Sequence, residues 1–293
     1  GRFIENIIHF VPSLEIISEV SVNLKDDAYL KNHVFNDQYV FPTVMLLEGM
    51  SQISQYLFNY DSKNFNFSNL KINKSIFIPS ENSNIIRFIG VRTSEKVIKL
   101  FVQSEDSNFE INCVEAELEL NVEATLQKID IKNIKTTSIN IDVQQKFYDD
   151  LLFHDGPFRR VKDFYYANSE KSLAVAFNNL NDNWFSSILT ENKLLGDPGL
   201  NDAAIHCHQI CRPNQRLLPI SAKRISFYSE LQEEEYFILT NEVKKASIII
   251  GLKKHLNKNI SLTQFANRCD IPIYSFNTIS YYQLVRLFSK ISY

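Results

Sequence analysis

The segment around Asp202 combines residue types that could take part in acid–base chemistry. Residues 195–206 read LGDPGLNDAAIH, so that an acidic residue stands at the start of an apolar helical pattern and His206 follows one turn later. The simplest interpretation is that Asp202 offsets the positive end of the helix dipole. The same carboxyl would also face whatever lies before the helix, and His206 at i+4 can contact and orient it. Asp202 is therefore a candidate acid, with His206 as its support.

His33 is a candidate base. It precedes Pro42 by nine positions and lies shortly before a predicted helix. A neutral imidazole is a good base near pH 7, because its unperturbed pKa is about 6.5. A single histidine before a helix is more often structural or exposed than catalytic, so His33 gains weight only as part of a wider pattern.

Residues 206–211 raise the question of a metal site. Cys207 and Cys211 are spaced i,i+4 beside His206 and His208. The two histidines point to different faces of a helix and no second ligand pair is visible, whereas zinc needs its ligands gathered around one point. We therefore predict buried or uninvolved thiols and no metal.

The elements that must hold these residues follow an α+β order. The apolar run Thr43–Phe58 predicts a buried helix, because proline is favoured at a helix start and residues 44–47 are apolar nearly all round. Alternating or apolar runs predict strands at residues 14–24, 70–78, 85–91, 97–103 and 109–120. A helix wrapped by one antiparallel sheet satisfies this order.

The order repeats loosely after a polar segment at residues 126–143, which we interpret as a linker. A second buried helix is predicted at residues 201–211. The other predicted elements are a short helix at 144–153, a turn at 154–157 and strands at 161–166, 172–177, 217–228 and 235–243. Two similar halves without close sequence identity indicate a duplicated fold.

Four segments, in order, resemble the dehydratase domains of polyketide synthases. Residues 33–42, HVFNDQYVFP, resemble the HxxxGxxxxP signature of that family, and residues 197–206 resemble its second signature, hPxLxDAxx followed by Gln or His. Residues 151–161 resemble the family's GPxF region, and residues 217–228 resemble the strand after its second helix. The resemblance covers most of the chain up to about residue 240.

This resemblance implies a double hotdog, two fused hotdog folds that each wrap an antiparallel sheet around a long buried helix. Residues 1–125 would form an N-terminal hotdog that carries the catalytic histidine. The linker at 126–143 would lead to a second hotdog at 144–245, which carries the catalytic aspartate. Residues 246–293 match nothing in the family and are an atypical C-terminal segment, with helical spacing at 261–268 and 281–290.

The resemblance also implies elimination of water from a β-hydroxyacyl thioester on an acyl carrier protein, with His33 as general base and Asp202 as general acid. A carboxylic acid can donate a proton near neutral pH only if its pKa is raised, so burial is expected to raise the pKa of Asp202. No metal or organic cofactor is needed. The supporting residues would be His206 and Pro42, and the substrate tunnel would include Gly156, Pro157 and Phe158.

Two positions depart from the family pattern. Asp37 stands where the first signature has glycine, and Asp155 stands where the GPxF region usually has glycine or tyrosine. Asp adopts positive φ less freely than Gly, so the loop at Asp37 is expected to differ. We interpret His154 and Asp155 as turn residues without a catalytic role.

Composition excludes several other classes. The 293 residues are 44% hydrophobic and 22% charged with a net charge of −3, which gives no electrostatic case for a nucleic-acid partner. No apolar run approaches the ~20 residues of a membrane span. The four cysteines lack the spacing of a disulfide framework, which favours a cytoplasmic location. The expected partners are an acyl carrier protein, the other domains of a synthase and a second copy in a homodimer.

Two further functions stay open at this point. A double-bond isomerase or cyclase on the same fold would reuse His33 without full need of Asp202. A noncatalytic domain that binds the carrier protein is the alternative of another class, and the intact set of His33, Asp202 and His206 argues against it.

Overall fold

A computed structural model of the chain describes residues 1–58, 65–120, 139–169, 171–179, 183–189, 192–214, 216–227, 235–240, 249–252 and 273–276. The chain divides into two compact units, Gly1–Thr240 and Asn241–Tyr293. Every predicted site residue lies in the first unit. Across the described ranges, no helix has the length and apolar character to cross a bilayer.

In its described residues, the first unit mixes antiparallel sheets with two α-helices, as the sequence predicts for an α+β fold. The helices are α1 (Thr43–Phe58) and α2 (Pro198–His206). The described strands, in chain order, are β1 (Asn6–Val11), β2 (Glu15–Val22), β3 (Val34–Phe35), β4 (Gln38–Val40), β5 (Phe65–Ile72), β6 (Phe77–Ile78), β7 (Asn84–Arg92), β8 (Val97–Ser104), β9 (Val114–Leu120), β10 (Val161–Ala167), β11 (Ser172–Phe177), β12 (Ser221–Phe227) and β13 (Glu235–Thr240).

A seven-stranded antiparallel sheet, in the order β1-β2-β7-β8-β9-β5-β12, wraps helix α1. The inward residues of β2, β7, β8 and β9 alternate with outward ones, so that one face of each strand is buried. All but four of the 16 residues of α1 are buried, because the helix lies between this sheet and the rest of the unit. An apolar helix enclosed in this way is stabilised mainly by tertiary packing.

The second half of the unit is smaller. Strands β10, β11 and β13 form a three-stranded antiparallel sheet, and α2 continues into a 3₁₀ turn at Cys207–Cys211. Buried residues of this half, among them Phe164 of β10, Ala203 of α2 and Phe147 of the helical segment Val143–Asp149, form a second apolar cluster. Strand β12 leaves this half and pairs with β5. The two halves therefore share a sheet.

His33 lies at the base of a small hairpin. Strands β3 and β4 are joined by a two-residue loop, Asn36-Asp37, and β4 also pairs with β6. Both loop residues have positive φ, 49° and 61°, as the tight hairpin turns of type I′ require. Asp37 thus adopts the left-handed conformation, which an Asp can reach although less freely than Gly.

Most predicted elements are confirmed, and the errors are local. Helix Thr43–Phe58 is found with the predicted bounds. The strand predicted at 70–78 is wrong, because β5 ends at Ile72 and β6 is a separate short strand. The strand predicted at 109–120 begins only at Val114, since Asn108 and Phe109 adopt positive φ in a turn. Strand β1 was not predicted.

The linker and tail predictions fall largely outside the described residues. This holds for residues 126–138 and for the predicted helices at 261–268 and 281–290. The predicted helix at 144–153 is the helical segment Val143–Asp149. In the second unit, strands β14 (Ile249–Leu252) and β15 (Ile273–Phe276) pair in parallel.

Candidate active site

His33 lies between a 3₁₀ turn at Ala28–Asn32 and strand β3, and only 6% of it is exposed. Its Nδ1 lies 2.8 Å from the Val40 carbonyl oxygen. Since a carbonyl can only accept, Nδ1 carries the proton and Nε2 keeps a free lone pair. The rings of Phe153 and Phe158 pack 5.0 and 5.2 Å from the His33 ring and enclose it in an apolar wall. His33 is therefore in the tautomer whose Nε2 can accept a proton, as a general base requires.

Asp202 is 5% exposed and lies in the second turn of α2. This helix is held at its N-terminus by Asp197, whose Oδ1 accepts a hydrogen bond from the Gly199 N–H at 2.9 Å. Pro198 occupies the first helical position, where its missing N–H is not needed. The buried Arg160 donates to Asp197 at 3.0 and 3.3 Å. The start of α2, and with it Asp202, is therefore fixed by a buried ion pair.

The Gly156–Phe158 turn packs against the start of α2. Gly156 has a φ of +50°, which favours glycine. A Cβ on Gly199 would lie 2.2 Å from the Pro157 carbonyl oxygen, so only glycine allows this approach. The close packing brings the residues just before the turn next to Asp202.

His154, immediately before that turn, is part of the site, and its interpretation as a simple turn residue is wrong. Its backbone forms an isolated antiparallel bridge with His33, and its ring lies 5.1 Å from the His33 ring. Its Nε2 is 3.1 Å from Oδ2 of Asp202. Its side chain is 6% exposed, because the turn folds it inward between the two halves. Asp155, by contrast, is a cap and turn residue as predicted, with its carboxylate on the Gly156 N–H.

His206 contacts Asp202 as the i,i+4 spacing predicts. Its Nδ1 lies 2.8 Å from Oδ2 of Asp202, and its Nε2 lies 3.4 Å from the Tyr148 hydroxyl. That hydroxyl oxygen accepts a 2.7 Å hydrogen bond from the Val161 N–H. One carboxylate oxygen therefore receives two imidazoles. We call His33, His154, Asp202 and His206 the imidazole–carboxylate cluster.

The expected rise in the pKa of Asp202 is not found. Burial raises the pKa of this carboxyl, but the charge of His154 and the hydrogen bonds from His154 and His206 outweigh burial and hold it well below its usual value. Asp202 is consequently a carboxylate at neutral pH. Burial raises the pKa of the Tyr148 hydroxyl, which stays neutral.

His33 and His206 are neutral at pH 7, because the pKa values of both are lowered. Burial, and then the charge of His154, lower the pKa of His33 to about 4. The same two causes lower the pKa of His206 to about 4, although its hydrogen bond to Asp202 acts in the opposite direction. His33 is therefore an available base over the whole physiological pH range.

Of the other residues predicted for the site, Pro42 supports the backbone at the start of α1. The Pro42 carbonyl accepts from the Met45 and Leu46 N–H groups at the start of α1. Phe158 is fully buried and its ring packs on His33 and, at 5.1 Å, on Trp184. Among the three predicted tunnel residues, Phe158 contacts the cluster, whereas Gly156 is exposed.

Glu48 links α1 to the segment that leads into α2, and the sequence analysis did not identify it. Its carboxylate accepts hydrogen bonds from the backbone N–H groups of Leu194 and Leu195 at 2.8 and 2.9 Å, and from the Gln52 side chain. Burial raises its pKa. An acidic residue within the apolar first half of the helix was the available signal. For His154, the signal was its place next to the GPxF-like turn.

One group of potential metal ligands occurs among the described residues. His33, His154 and Asp202 each offer a ligand atom within 4.8 Å of the others. The Asp202 oxygen nearest the imidazoles already accepts from both His154 and His206. We interpret the group as a proton-transfer network, because Oδ2 of Asp202 is shared by His154 and His206, and the ring of His154 lies beside that of His33. Cys207 and Cys211 are buried and lie outside the group.

No protein-family model matches the chain, and no curated protein matches it in sequence. Solved structures match it in fold. The dehydratase domain from the CurK module of curacin polyketide synthase superposes with a TM-score of 0.65 at 17% identity, over 83% of this chain and 88% of that domain. Two inactive mutants of CurK dehydratase both superpose with a TM-score of 0.64. The mutant with aspartate replaced by asparagine is 15% identical, over 82% of this chain and 86% of that chain. The mutant with histidine replaced by phenylalanine is 17% identical, over 83% of this chain and 88% of that chain.

An enoyl-isomerase of a trans-acyltransferase polyketide synthase has the same fold. It superposes with a TM-score of 0.59 at 14% identity, over 78% of this chain and 87% of the isomerase. The similarities show that this chain has the double-hotdog fold of polyketide synthase dehydratase domains, as predicted. The fold does not by itself distinguish a dehydratase from an isomerase.

Proposed function

We propose that this chain is a polyketide synthase dehydratase that eliminates water from a β-hydroxyacyl thioester on an acyl carrier protein. The observation that supports this is the imidazole–carboxylate cluster, in which ligand atoms of His33, His154 and Asp202 lie within 4.8 Å of one another. Elimination of water needs a base for the α-proton and a proton donor for the departing hydroxyl. The cluster contains a candidate base and a candidate proton donor, close enough together to act on the same substrate molecule.

His33 is the base of the proposed reaction. Its Nδ1–H is held by the Val40 carbonyl, which leaves Nε2 to accept the α-proton. The donor belongs to the part of the cluster around Asp202, where a buried carboxylate is hydrogen-bonded to two imidazoles. CurK dehydratase is inactive when one histidine or one aspartate is replaced, and these residue types are the ones proposed for this chain.

The proposed partners follow from the reaction. The substrate would be carried on the phosphopantetheine arm of an acyl carrier protein, and the domain would work beside the other domains of a synthase, as a homodimer. No metal or organic cofactor takes part, because both proton transfers use side chains. Dehydration needs both the base and the donor, so we prefer it over isomerisation, for which His33 alone would serve.

Intact-mass analysis of a β-hydroxyacyl carrier protein incubated with the domain tests the proposal. We expect the wild type to remove the mass of one water, and His33→Ala or Asp202→Asn to lower the rate by about 10²–10⁴-fold. His9→Gln changes an exposed histidine of β1 and serves as the matched control. Failure of the folded wild type to dehydrate either hydroxyl stereoisomer would overturn the proposal. A shifted double bond in an enoyl substrate would then indicate an isomerase.

A further inference from the structure

His154 has one ring nitrogen bound and one ring nitrogen without a partner. Its Nε2 contacts Oδ2 of Asp202 at 3.1 Å, while its Nδ1 is buried and makes no hydrogen bond in the described part of the chain. Burying a polar nitrogen without a partner destabilises a protein, so such a nitrogen is rarely retained without a reason. The adjoining rings belong to His33, at 5.1 Å, and to Phe153, stacked at 4.3 Å. The free nitrogen is therefore enclosed beside the proposed base.

The hydrogen bonds of Asp202 indicate which imidazole carries a positive charge. His206 is satisfied as a neutral ring: Nδ1–H donates to Asp202, and Nε2 accepts from the Tyr148 hydroxyl, whose oxygen is already occupied by the Val161 N–H. A buried carboxylate is costly unless it is hydrogen-bonded, and a cationic partner stabilises it further. Of the two imidazoles bonded to Asp202, His154 is the one left to supply the charge. As an imidazolium, it carries a proton on the unpartnered Nδ1.

We propose that His154 is the catalytic residue that delivers the proton to the departing hydroxyl, with Asp202 as the positioning residue that stabilises its charge. The inference rests on the proposed dehydratase function and assigns the acid of that reaction. The family resemblance predicts Asp202 as the acid instead. A carboxylate held ionised between two imidazoles is better suited to keep a neighbouring imidazole protonated than to donate a proton itself.

The proposed reaction balances its protons within the cluster. Nε2 of His33 removes the α-proton, and the electron pair of that C–H bond forms the Cα–Cβ double bond. The Cβ–O bond breaks, and the departing oxygen takes the Nδ1 proton of His154 and leaves as water. His33 is then an imidazolium and His154 is neutral. Transfer of the proton from His33 to His154, whose rings are 5.1 Å apart, restores the starting state.

Changing the leaving group of the substrate distinguishes the loss of the acid from the loss of the base. Chloride departs without being protonated, whereas hydroxide does not, so β-chloroacyl and β-hydroxyacyl carrier proteins are compared as substrates. For His154→Gln we expect dehydration to fall by about 10²–10⁴-fold, while chloride elimination above the enzyme-free rate stays within a few-fold of wild type. His33→Ala should lose both reactions, and His9→Gln should keep both.

Parallel losses of both reactions in folded His154→Gln would show a structural role and overturn the inference, as would unchanged dehydration. If this variant does not fold, His154→Asn goes through the same comparison of dehydration with chloride elimination, and parallel losses of both reactions would again overturn the inference. A wild type that eliminates chloride but never water would overturn the proposed function itself, which distinguishes the two failures.

Discussion

His206→Gln removes a titratable group from the buried cluster and keeps a hydrogen-bond donor for Asp202. The second signature that residues 197–206 resemble ends in either Gln or His, so the replacement suits the site. In the folded chain the pKa of His206 is about 4, because burial and the charge of His154 disfavour its protonated form. In the unfolded chain it should return to about 6.5. The unfolded state therefore binds more protons between these two values.

The direction and size of the change in unfolding free energy with pH follow from this difference between the folded and unfolded pKa values of His206. A lowered folded pKa gives a free energy of unfolding that is highest above pH 6.5 and falls as the pH drops towards 4. Between pH 7 and pH 5, one histidine with this shift costs about 2 kcal/mol of stability. His33, with a pKa also lowered to about 4, contributes a similar loss.

Urea unfolding at pH 7 and pH 5 measures the effect. The loss of unfolding free energy on acidification should be about 2 kcal/mol smaller in His206→Gln than in the wild type. His9→Gln, with an imidazole 48% exposed in the wild type, should keep the wild-type pH dependence. An unchanged pH dependence in His206→Gln would refute the reasoning, because His206 could not then be buried in its neutral form.

Three further predictions concern packing, charge and metals. Gly199→Ala should lower the urea midpoint by the equivalent of about 1–3 kcal/mol, since its methyl group would lie 2.2 Å from the Pro157 carbonyl oxygen; a wild-type midpoint would contradict this packing. Arg160→Met should cost about 3–5 kcal/mol in the same assay, because Asp197 would stay buried without its cation, and a loss under 1 kcal/mol would argue against the ion pair. Dialysis against EDTA should leave dehydration unchanged, since the imidazole–carboxylate cluster works by proton transfer; a loss that Zn²⁺ restores would contradict that interpretation.

Local patterns in the sequence were sufficient for much of the fold. The continuous apolar character of Thr43–Phe58 predicted a buried helix with the observed bounds, and alternation predicted the positions of β7 and β8. The contact between Asp202 and His206 also follows from sequence, because residues at i and i+4 share one face of a helix. These features depend on neighbours along the chain.

Non-local pairing explains what the sequence missed in the fold. Strand β1 alternates poorly in exposure, since it lies at the edge of its sheet, so periodicity did not reveal it. The pairing of β12 with β5 joins segments from the two halves, and no local pattern specifies such a partner. The break between β5 and β6 likewise depends on β6 pairing with β4.

The sequence alone determined the candidate pair His33 and Asp202, through residue types at spacings that resemble a known family. The tertiary structure alone decided the protonation of that pair, because it brought His154 within 3.1 Å of Asp202 and beside His33. Burial by itself would raise the pKa of a carboxyl group, and the sequence placed only His206 beside Asp202. The charge and hydrogen bond of His154, together with the hydrogen bond of His206, reverse the direction, because they outweigh the loss of hydration.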